Sequence, residues 1–192
     1  FDKKDTNLVE VLHDPNVACQ IGLAEMFDAS IGKSTVLMPF GGKYQLTPEE
    51  GSVQKLPVFG MTNTCSTMTY GYDPKLAKYS PYLGASYSVV EALAKITALG
   101  ADYSTCRLSN QEYFERVGDD PKKWGNPMQA LLGLVDAQIA FETPSIGGKD
   151  SMSGTYKDIH VPPTLITFAI TTQKTDSVVS ASFKKAGNYV YL

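Results

Sequence analysis

Apolar residues recur along this chain with two periods, and each period predicts a different kind of element. Tyr82, Ala85, Val89, Leu93 and Ile96 fall three or four positions apart, in a stripe widened by Val90, Ala94 and Leu99. That is the period of a helix with one buried face. Ser80 stands where a cap belongs, Pro81 in the first turn and Gly100 just past the end, so the helix is framed on both sides. Gly84, Ala85, Ser86 and Ser88 near its start are small enough for close packing or for a ligand. A second helix is expected from Asn126-Pro127, with Met128, Leu131, Leu132, Val135 and Ile139 on its apolar side. A third is expected from Asp14-Pro15, with Val17, Ile21, Ala24 and Phe27 on one face. Ser109-Asn-Gln-Glu112 reads as a capping box that opens a short helix through Val117.

Short apolar or alternating runs predict strands at Ser34–Pro39, Ser52–Phe59, Met61–Tyr70, Tyr103–Leu108, Thr143–Ile146 and Thr164–Thr172. Phe40-Gly-Gly-Lys43 reads as a turn, and so does Gly147-Gly148, which lies between two apolar strands. Residues 173–182 are small and polar, as a linker would be. No GxGxxG follows a strand, which argues against a dinucleotide-binding fold. The alternation predicts an α+β fold, a mixed sheet with helices packed on one face.

Composition narrows the picture. The 192 residues suffice for one domain with a sizeable core, at 43% hydrophobic and 19% charged content. A net charge of -3 gives no basic field for nucleic acid and no polybasic membrane signal. No apolar run reaches transmembrane length. The start, Phe-Asp-Lys-Lys-Asp, has neither a methionine nor an apolar signal core, as in a piece of a longer chain. Cys19, Cys65 and Cys106 are odd in number and widely spaced, so they read as free thiols in a reducing cytoplasm. His13 and His160 lack metal-ligand spacing, and neither is given a catalytic role.

The most concentrated candidate chemistry is Gly147-Gly-Lys-Asp-Ser151. Adjacent glycines let backbone N–H groups approach a ligand. Lys149 and Ser151 beside them suit a phosphate, while Asp150 could equally cap its own turn. Gly32-Lys-Ser-Thr35 resembles a phosphate-binding loop, but Phe27 stands where that signature needs glycine. Glu91 and Lys95 are spaced as an ordinary helical ion pair. Tyr113, Phe114 and Trp124 lack a basic patch, so base stacking is not expected.

Several blocks in one order carry a resemblance: Phe27-Asp-Ala-Ser-Ile-Gly32, Thr35-Val-Leu-Met-Pro-Phe-Gly-Gly-Lys-Tyr44, Ser80-Pro-Tyr-Leu-Gly84, Gln111-Glu-Tyr-Phe114 and Gly147-Gly-Lys-Asp-Ser-Met-Ser-Gly154. Together they resemble the phosphoribosylformylglycinamidine synthase family, the glutamine-dependent ligases of purine biosynthesis. The resemblance places the chain in the second of two halves that are each similar to aminoimidazole ribonucleotide synthetase. It implies a lead-in segment and helix over 1–30, the N-terminal subdomain of that half over 31–175, and a linker with the start of the next subdomain over 176–192. The implied reaction uses ATP and glutamine-derived ammonia to convert formylglycinamide ribonucleotide to the amidine. The implied partners are the first half, whose sheet would close a barrel with this one, and the C-terminal subdomain. Without them the chain is expected to be inactive and to form a homodimer. Family members that hold ATP or ADP with magnesium in the second half use a strand Asp, a helix Glu and a helix Asn. The resemblance aligns these with Asn63, Glu91 and Lys95. Two departures weaken the oxygen set that magnesium needs, so a degenerate nucleotide site is expected. Lys95 could replace the cation and touch a phosphate, or pair with Glu91 in a dead site. The alternative implied by the same superfamily is a stand-alone ATP-dependent small-molecule kinase or synthetase.

Overall fold

Three strands with alternating burial form the centre of the molecule, and the last of them in sequence lies in the middle. The computed structural model describes residues 7–15, 17–26 and 34–191. In chain order they form α1 (Leu8–His13), α2 (Ile21–Glu25), β1 (Phe40–Gly41), β2 (Thr47–Pro48), β3 (Ser52–Lys55), β4 (Thr64–Gly71), α3 (Pro74–Tyr79) and α4 (Pro81–Ala98). There follow β5 (Arg107–Tyr113), α5 (Pro121–Phe141), β6 (Ser145–Lys149), β7 (Thr155–Tyr156), β8 (Ile159–His160) and β9 (Thr164–Lys174). The main sheet has the order β3-β4-β9-β5-β6. Its pairs are antiparallel except for the parallel β5–β6 pair.

Alternation decides which face is covered. Cys65, Thr67 and Thr69 on β4, Leu165, Thr167, Ala169 and Thr171 on β9, and Leu108, Asn110 and Glu112 on β5 are buried. The core joins Leu108, Leu165 and Ala169 of this face to Ala85, Val89, Ala92, Leu93 and Ile96 of α4 and to Ala130 and Leu134 of α5. Full burial of side chains such as Val89 and Ile96 contributes roughly 1.5–3 kcal/mol each. The opposite face carries Met68, Tyr70, Phe168, Ile170 and Tyr113, of which all but the half-buried Phe168 are exposed. The fold is therefore α+β, a mixed sheet with helices on one face. No described helix is long and apolar enough to cross a membrane.

The helix over 81–98 forms as the sequence reads, with Ser80 Oγ accepting the Leu83 N–H at 3.2 Å. Val90 and Ala94 are exposed, however, and Ser88 and Ala92 are buried in their place. The stripe is rotated because β4 and β9 offer hydroxyls as well as apolar groups to pair with. Ser109–Glu112 is not a helix cap. It belongs to β5, hydrogen-bonded between β9 and β6, and sheet pairing on both sides outweighs a local cap. The second long helix starts at Pro121, not Asn126, because Asp120 Oδ1 accepts the Lys122 N–H at 2.9 Å. Pro127 lies inside that helix.

Three further expectations are corrected. Asp14 ends α1 where it was expected to start a helix, since its N–H bonds to Val11 O. Thr35 forms an isolated bridge to Gln54, and Ser34–Pro39 makes no strand. Tyr103–Thr105 is a 3-10 turn ahead of β5. After Tyr72 the chain forms α3, capped by Asp73. Phe27 and the Gly32-Lys33 pair lie outside the described residues.

The side of α5 expected to be buried is the exposed one. Met128, Leu131, Leu132, Val135 and Ile139 are 43–70% exposed. Pro127, Ala130, Gly133, Leu134 and Ala137 face inward. Small residues win this contact because they bring α5 onto the backbone of α4. A Cβ on Gly133 would lie 2.1 Å from Tyr82 O. Gly133→Ala should therefore cost about 2 kcal/mol in denaturant unfolding, and Gly125→Ala, whose Cβ would meet nothing, should cost nothing.

Glu112 is 8% exposed, and its Oε1 has no hydrogen-bond partner. Burial, aided by the negative charge of Asp150, pushes its pKa up to about 7 from 4.5. The folded state thus keeps a proton that the unfolded chain has released. Stability is undiminished below about pH 4.5, falls as pH rises towards 7, and stays lower above it. Glu112→Gln should add up to about 3 kcal/mol near pH 8 and nothing near pH 4 in urea titrations. An equal gain at both pH values would show that ionisation is not what the site resists.

Candidate functional site

The best-defined polar constellation grows from α4. Glu91 and Lys95 lie one turn apart on the side of that helix facing the end of β4. Lys95 Nζ lies 2.7 Å from Glu91 Oε1, 2.9 Å from Glu50 Oε2 and 3.2 Å from Tyr70 O. It also sits 4.7 Å from the centre of the Tyr70 ring. An ammonium has three donors, and three oxygens take them. Glu91 is held at both ends, since its Oε2 accepts the Tyr72 N–H at 3.0 Å. Burial works to lower the Lys95 pKa, but the hydrogen bonds and charges of Glu91 and Glu50 outweigh it and hold the pKa above the usual lysine value.

Two cavities flank this ion cluster. One of about 330 Å³ is lined by Glu50, Glu91, Lys95, Leu99, Val179 and Ala181. The other, of about 360 Å³, opens on the uncovered face of the sheet between Leu37, Glu50, Met68, Tyr70 and Phe168. Glu50 borders both. Beside it, Glu49 Oε2 accepts the Ala181 N–H at 2.8 Å, which ties the C-terminal stretch over the end of α4.

Asn63 does not join Glu91. It is exposed just before β4, where its backbone O accepts the Thr175 N–H. Glu91 bonds to Tyr72, just after β4. The eight residues of that strand span about 25 Å. Magnesium therefore does not fit these three residues. One is remote, one is an ammonium in the place of a cation, and the carboxylate is engaged at both oxygens.

The Gly147-Gly148 pair is not a turn. Both residues lie in β6, whose five residues are all exposed. Gly148 is required because a Cβ there would lie 2.2 Å from Asn110 O on β5. Lys149 is exposed at the end of the strand. Ser151 continues the pairing, its N–H donating to Glu112 O at 3.1 Å and its O accepting the Phe114 N–H at 2.9 Å. Asp150 between them is exposed and raises the pKa of Glu112. In the sheet order, β9 and β5 separate β4 from β6, a span of about 14 Å. Lys95 and the Gly147–Ser151 segment are thus two separate places.

His13 is exposed in the last turn of α1. His160 Nδ1 lies 3.1 Å from Thr155 Oγ1 and 3.5 Å from Glu115 Oε2, which also pairs with Lys123. Among the described residues, no three His, Cys, Asp or Glu side chains are grouped to hold a metal. In the sequence Glu50 and Tyr70 are not singled out for the site, and Glu112 has only a capping role. Only the pairing of β3 with β4 brings the first two to Lys95, and only the inward register of β5 buries the third.

No protein-family model matches the chain. Among curated proteins it is 27% identical over 184 residues to the phosphoribosylformylglycinamidine synthase subunit PurL of Pyrobaculum aerophilum, covering 95% of this chain and 24% of that protein. It is 25% identical over 202 residues to the PurL subunit of Lacticaseibacillus paracasei, covering 100% of this chain and 25% of that one. The chain thus spans about a quarter of the length of the curated relatives it matches. The solved PurLQS structure from Thermotoga maritima shares the fold, with a TM-score of 0.66 and 21% identity over 84% of this chain and 25% of that one. Along 95–100% of its length this chain is thus similar to phosphoribosylformylglycinamidine synthase subunits PurL.

Proposed function

We propose that this chain serves, as the N-terminal subdomain of the second synthetase-like half, in an enzyme that converts formylglycinamide ribonucleotide to the amidine with ATP and glutamine-derived ammonia. Its own part is structural. It supplies one sheet of a two-sheet core, with a nucleotide site that has decayed into an ion cluster. Thermotoga maritima PurL has been solved with ATP, ADP and formylglycinamide ribonucleotide. Those ligands belong to that protein, and the residues here do not rebuild a magnesium-dependent site.

The observation that carries this reading is the saturation of Lys95. All three of its donors are spent on Glu91, Glu50 and Tyr70, so none is left for a phosphate. Lys149 at the end of β6 and Ser151 beyond it remain the better placed phosphate contacts, outside the cavity that Lys95 lines. Calorimetric titration of the chain with ADP and magnesium should show no affinity in the low micromolar range; a magnesium-dependent affinity there would overturn the proposal. Asn63→Asp should add nothing to the effect of Lys95→Asn on magnesium response, because Asn63 stands at the far end of β4.

The uncovered sheet face supports the second element of the reading. Met68, Tyr70, Phe168 and Ile170 form an apolar patch of the kind that marks an interface. In the enzyme its partner is the sheet of the first half. In this chain alone a second copy takes that place, as a two-fold pair. Light scattering at about 10 µM should show association, and Met68→Glu with Ile170→Glu should remove it from this face. Unchanged mass in that variant would sink the interface.

A further inference from the structure

The exposed apolar stripe of α5 is spaced symmetrically about its own midpoint. At 100° per residue, Trp124, Met128, Leu131, Leu132, Val135 and Ile139 lie within one stripe about 100° wide, on the side of the helix away from Ala130, Gly133 and Ala137. The spacing of its positions is the same in both directions. Trp124 is as far before the Leu131–Leu132 midpoint as Ile139 is after it, and Met128 stands in the same relation to Val135. A two-fold axis through that midpoint, perpendicular to the helix, sets Trp124 against Ile139, Met128 against Val135 and Leu131 against Leu132 of a second α5.

We propose that α5 is a self-complementary docking helix, and that its occupant is the antiparallel α5 of a second copy of this chain. The seam has the alternating three- and four-residue spacing that lets two helices interlock. No lysine or arginine lies on it, so no like charges meet across the axis. Antiparallel alignment also places opposite ends of the two helix dipoles together. The Trp124 side chain is already fixed, its Nε1 donating to Gly118 O at 2.9 Å, which lowers the ordering cost of binding. Covering these six side chains completely would remove at most roughly 600 Å² from each copy, against about 800 Å² per partner for a standard interface. That area suits a reversible dimer. The stripe lies on the helix layer, so this contact is distinct from the one on the open sheet face.

Sedimentation equilibrium on the chain carrying Met68→Glu and Ile170→Glu isolates α5. We expect a dimer at tens of micromolar, weakened by about 30-fold or more by Leu131→Glu or Val135→Glu. Both positions are exposed, and circular dichroism checks that the helix content is kept. A monomer before the α5 substitutions, or a dimer indifferent to them, overturns the proposal. Orientation is read independently, with the sheet face unaltered, in a Cys19→Ser background, since Cys65 and Cys106 are buried. Trp124→Cys mixed with Ile139→Cys should give an intermolecular disulfide. Trp124→Cys alone should not, because the two copies of that position lie about 22 Å apart along the pair. Self-crosslinking of Trp124→Cys, or no disulfide in the mixture, also refutes the antiparallel pair.

Discussion

A single run of hydrogen bonds, buried at its start and exposed at its end, ties together the elements on which this fold depends. Ser88 Oγ on α4 lies 2.7 Å from Thr167 Oγ1 on β9, which donates to Asn110 Oδ1 on β5 at 3.0 Å. Asn110 Nδ2 reaches Ser145 Oγ on β6 at 2.5 Å, and Ser145 donates in turn to Gln138 Oε1 on α5. Both long helices and three adjacent strands thus meet in one polar line that runs from the core at Ser88 to the surface at Ser145. A buried polar group left unmade costs about 1–3 kcal/mol. Shifting any of these elements by one residue would strand several such groups at once. The line therefore fixes register as well as adding stability, and it explains why α4 turns a serine inward where a plain helical stripe would place valine or alanine.

The ion cluster at the other side of α4 obeys the same accounting. Lys95 is mostly withdrawn from water, its side chain 17% exposed. A withdrawn ammonium is tolerated only when its donors are matched. Glu91, Glu50 and Tyr70 supply that match from a helix, a loop and a strand. The cluster consequently works as a clamp on the β3–β4 edge.

How much of this was legible follows from the range of the forces involved. α4 is legible because its cap, first-turn proline and terminal glycine act within a few residues. β4 and β9 are legible, within a few residues at their ends, from short-range alternation. β5 is not, because Ser109 to Glu112 carries a genuine local cap signal that loses only to partners more than 30 positions away. α5 misleads for a different reason. Its large apolar residues do form a stripe, but the sequence cannot distinguish a stripe turned to the core from one turned outwards. Of the candidate site, the Glu91–Lys95 pair was legible from spacing, whereas Glu50, Tyr70 and the remoteness of Asn63 follow only from strand pairing. Gly147-Gly148 reads as a turn because glycine permits turns; its place here is set by the backbone of β5.

The position of β9 governs the order in which this molecule can assemble. It is the last strand among the described residues, yet it sits between β4 and β5 and hydrogen-bonds to both. Thr64 and Lys174, facing partners in the β4–β9 ladder, are 110 positions apart. During synthesis α4 and α5 can form early from local contacts, but the sheet beneath them has no centre until the strand from Thr164 onwards emerges. Until then β4 and β5 present unpaired edges and the apolar side of α4 has nothing to rest on. Such distant pairing makes folding slow and leaves a long interval in which nascent chains are exposed to misassociation.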